Sequence, residues 1–363
     1  MGRIGKPTLM DNMVIMRMRY LGDSLLLIPT VRKLLLAYPG IFLTVVVNRG
    51  TEYPLNNLSG IRVVVFDNRS FLGKLKSSLA IFRLARERKW DLWVDWTVSD
   101  RSRLFSKLAD GSQKLSCGWK TDERYSSPNS VYIPVDFNHG PDPVMTQYES
   151  SLRKIGVHLS GNSDPVIPSS PSSQVEIGAW KKQNGLDQET PILLIHPGGR
   201  EWYKRWPPDR FAQVGNWWTR VHKGVVVLIG SREDHTLILS VTSGFQPETR
   251  FLVVQESIPF VHALMESSTL FLGNDSGPFH LADASGLYGV GLFGSTTPAV
   301  WGAVSTGRLL TLYDPPACSP CSHEGCSMGV DNCLRRIEVD QVIDGLSRQL
   351  DLREKHLREV SLS

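Results

Sequence analysis

Short runs of aliphatic and β-branched residues alternate along the chain with longer stretches whose apolar positions recur every three or four residues. The first kind reads as strands buried on both faces, the second as helices that cover them, so the pattern predicts an α/β protein built on open parallel sheets. In the first half the spacing predicts strands at 13–18, 44–48, 62–66 and 92–96, with a helix over 24–38 and a basic amphipathic helix over 74–88. Between 160 and 174 the composition turns to Ser, Pro, Gly and Asn, which reads as a linker. Beyond it the rhythm returns: strands at 192–196, 225–229, 251–254, 270–273 and 290–293, helices at 208–220, 232–240, 259–266 and 278–284. A charged, helix-prone stretch, 339–359, closes the chain. The expected organisation is therefore a domain over 1–159, a linker over 160–174, a second domain over 175–338 and a closing helix within 339–363.

Composition narrows this little: 363 residues, 41% apolar and 21% charged, are ordinary for two globular domains. No apolar stretch approaches the roughly 18 residues that span a bilayer. The first twelve residues lack the apolar core of a leader peptide, so a cytoplasmic location is expected. Charge adds more. The net +4 divides into 23 Lys and Arg against 14 Asp and Glu over residues 1–159, a balance of +9, and 17 against 22 over the rest, a balance of −5. The basic half either meets something anionic or is simply a solvated surface. Zinc-finger, basic-helix and ribonucleoprotein-type patterns are absent, so nucleic acid is not the expected partner.

Candidate chemistry sits where expected strands give way to helices. Gly289–Phe293 with Gly294 spells GxGxxG, but its glycines lie inside an apolar run and no strand feeds them. A dinucleotide turn needs strand, turn and helix in that order, so these glycines read as close-packing positions in a buried strand. In Leu21-Gly22-Asp23-Ser24, Asp23 is either a helix N-cap or a carboxylate able to take a proton from a hydroxyl, and the two roles are compatible. In the run from His196 to Pro207, Gly198 and Gly199 form a loop, and Lys204 and Arg205 precede a helix whose N–H groups suit a diphosphate. In Gly273-Asn-Asp-Ser-Gly-Pro-Phe-His280, Asp275, Ser276, Gly277 and His280 converge at a strand–helix junction, with Pro278 in the first turn. Thr296 and Thr297 leave the next strand and serve either a phosphate or sugar, or the turn itself.

Together these segments, GDSLLLIP, HPGG…KRWP, GNDSGPFHLA and LFGSTTPAVWG, resemble glycosyltransferase family 9, and the resemblance runs over nearly the whole chain. It implies the GT-B fold, two Rossmann-like domains facing each other across a cleft, the N-terminal one for the acceptor and the C-terminal one for a nucleotide-sugar. It also implies that Asp23 is the general base, that Lys204 contacts the donor phosphate, and that Asp275, Ser276 and Gly277, with His280 nearby, bind the donor sugar and diphosphate. Glu233 is the nearest match to a carboxylate that holds the nucleoside. Two departures stand out: Gly198 and Gly199 occupy positions where relatives carry hydroxyl residues, and the segment before Lys204 is one residue longer than in some of them. The basic first half would suit a phosphorylated glycolipid acceptor, with Lys74, Lys76, Arg83, Arg101 and Arg103 as contacts and peripheral contact with the inner membrane. The activity implied is inverting transfer of heptose from ADP-heptose to a lipopolysaccharide inner core, without a required cofactor. The alternatives are a different nucleotide-sugar or acceptor, such as another surface glycan or a protein, and a catalytically weak nucleotide-sugar-binding scaffold. Finally, Cys318, Cys321, Cys326 and Cys333, with His323 between them, have enough thiolates for a structural zinc or iron; free thiols or an oxidised pair are the other outcomes.

Overall fold

Residues 12–16, NMVIM, form strand β1 (Asn12–Met16) because both faces of this run are covered, which leaves nothing polar to lose from the middle of the strand. The computed structural model describes residues 10–109, 111–118, 130–134, 141–161, 164–305, 307–321, 325–329 and 331–361. They divide into two units, Met1–Pro165 and Val166–Ser363.

In the first unit β1 is followed by α1 (Leu21–Ala37), β2 (Phe42–Asn48), α2 (Tyr53–Asn56), β3 (Ile61–Phe66), α3 (Phe71–Glu87), β4 (Trp90–Asp95), α4 (Asp100–Leu108), β5 (Gly111–Gly118), β6 (Ser130–Pro134) and α5 (Val144–Arg153). All six strands are parallel, in the order β3-β2-β1-β4-β5-β6. Chain direction across the sheet reverses between β1 and β4, which pair with Met16 opposite Asp95. Loops leaving two such neighbours diverge and open the crevice where ligands of α/β sheets bind. Below it lies a core that includes Trp90, Trp93, Phe66 and Phe105, with the Trp90 indole N–H donating to the Leu84 carbonyl at 2.9 Å.

The second unit runs α6 (Pro171–Gln183), β7 (Ile192–His196), α7 (Pro208–His222), β8 (Val225–Ile229), α8 (His235–Thr242), β9 (Phe251–Val254), α9 (Ile258–Glu266), β10 (Leu270–Asn274), α10 (Gly277–Ala284), β11 (Gly289–Phe293), α11 (Pro298–Trp301), β12 (Leu309–Tyr313) and α12 (Val339–Ser361). Its parallel sheet is ordered β12-β11-β10-β7-β8-β9, so the switch falls between β7 and β10, where Gly273 lies opposite His196. Helix α12 packs on α7 and on β10 to β12 through Val342, Gly345 and Leu346.

Two differences from the sequence reading have plain causes. The stretch 160–174 is not irregular throughout: α6 opens at Pro171, with Ser170 accepting the Ser173 N–H at 3.2 Å. Ser-Pro, read as loop, is also an N-cap followed by a proline at the first helical position. The expected helix 232–240 begins as a 3-10 turn, Arg232–Asp234, and becomes regular in α8. The GxGxxG glycines behave as expected. A Cβ on Gly289 would lie 2.1 Å from the Phe271 carbonyl oxygen, and one on Gly291 would lie 2.3 Å from the Phe279 ring. The run is a buried strand whose glycines sit at close-packing positions.

Candidate active site

At the switch point of the second unit, Asn274 is wholly buried and staples the two exits together. Its side-chain N–H2 donates to the carbonyls of Pro197 (2.8 Å) and Gly198 (3.0 Å), and its oxygen accepts the Trp206 N–H at 3.1 Å. The loop 197–206 is thereby pinned at both ends. Ser276 shares a 3.1 Å hydrogen bond with His196 Nδ1. Burial drives the His196 pKa down to about 4, against an upward pull from Asp234, so the imidazole is neutral at physiological pH.

The pinned loop delivers Lys204, last residue of the 3-10 turn Trp202–Lys204, to Asp275, with Nζ 3.3 Å from Oδ2. Thr296, from the loop after β11, donates to the same carboxylate oxygen. Three chain segments that are distant in sequence thus meet on Asp275 at the open end of the sheet. Asp275, Ser276 and Gly277 are half-buried, Ser276 is the N-cap of α10, and Pro278 occupies its first turn. A cation, two hydroxyls and a helix start within one half-exposed patch are equipped to receive a diphosphate.

The glycines have a steric role. A Cβ on Gly198 would fall 2.8 Å from His196 Nε2 and 2.9 Å from Asp234 Oδ1, and one on Gly199 would fall 3.1 Å from the Lys204 carbonyl. Arg205 turns back and donates to the Gly199 carbonyl at 2.8 Å. Two residues stand apart from the cluster. Glu233 is exposed on its 3-10 turn, whereas its neighbour Asp234 faces Gly198. His280 is buried in α10, edge-on to Phe279. Asn274, His196 and Asp234 were missed as site residues; a buried amide directly after an apolar strand was the available signal for the first.

In the first unit, Asp23 is not an N-cap. Helix α1 begins two residues earlier, at Leu21, and Asp23 sits at its third position, where Oδ2 accepts the Tyr20 N–H at 3.0 Å. Its other oxygen pairs with Arg17 at 2.5 Å. Arg17 also donates to the Trp96 carbonyl and lies over the Tyr148 ring, 5.5 Å from its centroid. Burial weakens the Arg17 charge, but Asp23 and its other neighbours outweigh this and raise its pKa above the ordinary value. Across the switch point, Asp95 is fully buried, and desolvation lifts its pKa to about 6. Its Oδ1 accepts the Thr97 N–H at 2.9 Å, just before Val98, a β-branched residue held at φ 58°. Neither Arg17 nor Asp95 was singled out from sequence, where each lies within an apolar or aromatic run.

Of the basic residues, Lys74, Lys76 and Arg83 are exposed on α3, and Arg101 on α4 lies over Phe66 at 5.2 Å. Arg103 differs: only 12% of its side chain is exposed, 3.6 Å from Asp100. Among the described residues the four C-terminal cysteines form no disulfide, and no group of three or more His, Cys, Asp or Glu is placed to hold a metal. Cys333 is buried beside Gly294 while Cys318 is exposed. Burial first, and the neighbouring thiols second, push the Cys333 pKa to about 11. His323 lies outside the described residues.

Two parallel sheets of reversed winding, each with polar side chains gathered at its switch point, define the class: a GT-B protein of two Rossmann-like domains. The chain belongs to glycosyltransferase family 9 (heptosyltransferase), whose model matches residues 80–330, and it is a glycosyltransferase. It is 25% identical over 308 residues to lipopolysaccharide heptosyltransferase 3 of Escherichia coli, covering 78% of this chain and 84% of the relative. Among solved structures, a family 9 glycosyltransferase from Veillonella parvula superposes with a TM-score of 0.80 at 20% identity, over 94% of this chain and 97% of that one. The E. coli ADP-heptose lps heptosyltransferase II superposes with a TM-score of 0.69 at 17% identity, over 94% and 99%.

Proposed function

We propose that this protein transfers a heptose from ADP-heptose to a lipopolysaccharide inner-core acceptor, with inversion at the anomeric carbon, and that it works in the cytoplasm. The donor lies at the second unit and the acceptor at the first. The observation that carries the reading is the meeting of Lys204 and Thr296 on Asp275 at the β7/β10 switch point. The names of the E. coli relatives, which specify heptose, ADP and lipopolysaccharide, favour this donor and acceptor.

In the reaction, an acceptor hydroxyl attacks the anomeric carbon while its proton passes to the Asp23 carboxylate. The bond from that carbon to the diphosphate oxygen breaks, and its electron pair leaves with ADP. Charge grows on the leaving diphosphate, where Lys204 and the N–H groups opening α10 stabilise it without reorganising. Arg17 and the Tyr20 N–H hold the two oxygens of Asp23 in place. Ser276 and Gly277 bind the diphosphate, Gly198 and Gly199 offer it backbone N–H groups while letting the loop close against His196, Asp234 and the Lys204 carbonyl, and His280 lies buried close by in α10. Arg205 holds the loop, and Glu233 reaches the nucleoside from its exposed turn. Lys74, Lys76, Arg83, Arg101 and Arg103 supply the field that attracts a phosphorylated acceptor. No cofactor enters this scheme.

Titration calorimetry with ADP, UDP and GDP tests the donor assignment. ADP is expected to bind most tightly, and Lys204→Met to weaken it at least tenfold. A preference for UDP or GDP, or undiminished binding in the variant, would overturn it.

A further inference from the structure

Helix α3 has two apolar faces, and among the described residues one is buried and the other exposed. Ser77, Ile81, Leu84 and Ala85 are buried against the first unit. On the other side Phe71 is 79% exposed, Leu72 65%, Leu75 50%, Leu79 49% and Phe82 37%. At 3.6 residues per turn these five side chains fall in one stripe about 100° wide, running the length of a helix of about 25 Å. A water-facing helix gains nothing from such a stripe, and contiguous exposed apolar surface marks a docking site.

Charge says what docks. On the same helical projection Lys76 and Arg83 flank the stripe on one side and Arg86 falls within it, over the Phe82 ring at 4.8 Å from its centroid, while Lys74 lies in the first turn on the side of the buried face. The helix has a single acidic residue, Glu87, its last, and Arg62 at 2.7 Å and Arg88 at 3.2 Å already neutralise it. An apolar stripe bordered by cations matches the acyl–headgroup boundary of an anionic bilayer, where the apolar groups sink a few ångströms and the long basic side chains reach back to phosphate. A water-soluble glycan would use the cations and leave the leucines without a partner. The helix is also built in advance: Ser70 caps it by accepting the Gly73 N–H at 2.9 Å, so docking costs little ordering.

Topology ties this face to the chemistry. In a parallel sheet every strand's C-terminal end lies at one edge, so the start of α3, which follows β3, shares that edge with the start of α1, which carries Asp23. Helix α4, also leaving that edge, packs against α3 and exposes Leu104.

We propose that α3 is a membrane-docking helix that seats the first unit on an anionic phospholipid surface with its Asp23 edge at the headgroups. The proposal deepens the reading of a lipid-anchored acceptor and rests on it for its purpose, but its test needs neither donor nor acceptor. Purified protein is floated with vesicles of phosphatidylethanolamine and phosphatidylglycerol, or of phosphatidylcholine alone, and sedimentation is run without lipid. The expected result is binding at least tenfold tighter to the anionic vesicles, weakened by 0.5 M salt because each basic group adds about fivefold at low ionic strength. Leu75→Glu with Leu79→Glu should abolish it while ADP binding stays as in the wild type, which shows that the protein is folded. Absence of vesicle binding, or binding unaffected by the two substitutions, overturns the proposal. So does a lipid-free dimer that the substitutions dissolve, since the stripe would then belong to a second copy of the chain. Failure of ADP binding in the wild type would strike the donor assignment and leave the vesicle result standing.

Discussion

Asp23 carries two loads at once: one oxygen closes the first turn of α1 and the other pairs with buried Arg17. Asp23→Asn keeps the shape and removes the proton acceptor. It is expected to lower kcat about 10²–10⁴-fold with ADP affinity unchanged, as checked by initial rates alongside calorimetry. Gly198 poses a different question, because its Cβ would strike His196 and Asp234 rather than open space. Gly198→Ala is expected to cost about 1–3 kcal/mol by overpacking, read from denaturant midpoints, and to weaken ADP binding as the loop shifts. Both positions could be singled out from sequence, yet their roles could not. Asp23 looks like a cap because helix starts are uncertain by a residue or two, and Gly198 looks like an ordinary loop glycine because nothing local announces a histidine ring beside it.

At the scale of elements, periodicity located most strands and helices to within a few residues. β7, β8 and β9 coincide with their expected spans, because an apolar run bounded by turn residues has little choice about where to begin. The elements not foreseen, α2, α4, α5, α6, α11, β5, β6 and β12, are mostly short or polar, and the strands among them form because a neighbouring strand offers pairing and cover. Strand β11 shows packing at its tightest. Gly289→Ala would press a methyl group against the Phe271 backbone, which cannot rotate away, whereas Gly291→Ala meets only the Phe279 ring. Gly289→Ala is therefore expected to destabilise by about 3 kcal/mol and Gly291→Ala by less, as measured by thermal or urea unfolding.

The whole molecule should respond to pH through two buried groups that pull in opposite directions. Asp95 in the first unit has its folded pKa raised by burial to about 6, above the unfolded value of 3.8. Its contribution is therefore full below about 4 and is lost as pH rises through 6. His196 in the second unit has its folded pKa lowered to about 4 from 6.5, so its contribution is full above 6.5 and is lost as pH falls through 4. Each spans a little more than two pKa units, equivalent to about 3 kcal/mol. Asp95→Asn should gain about that much relative to wild type between pH 4 and pH 7.5, measured by urea unfolding. Hydrogen exchange should place the gain in peptides of residues 1–165. A constant difference across that range would remove Asp95 from the account.

The order of apolar and polar residues by itself determined the α/β class, most strand positions and the loops where chemistry gathers, because hydrophobic burial and turn geometry act over a few neighbouring residues. It also carried the family resemblance and the identity of Asp23, Lys204, Asp275 and Thr296. Only the tertiary structure decided which of these meet: Lys204 and Thr296 on one oxygen of Asp275, Arg17 on Asp23, Asp234 rather than Glu233 beside Gly198. It also decided which apolar face of α3 is left outside. Such choices depend on strand order and on the crossing of residues tens of positions apart. Desolvation and hydrogen-bond geometry then set what each group costs and can do, and neither is a local property of the chain.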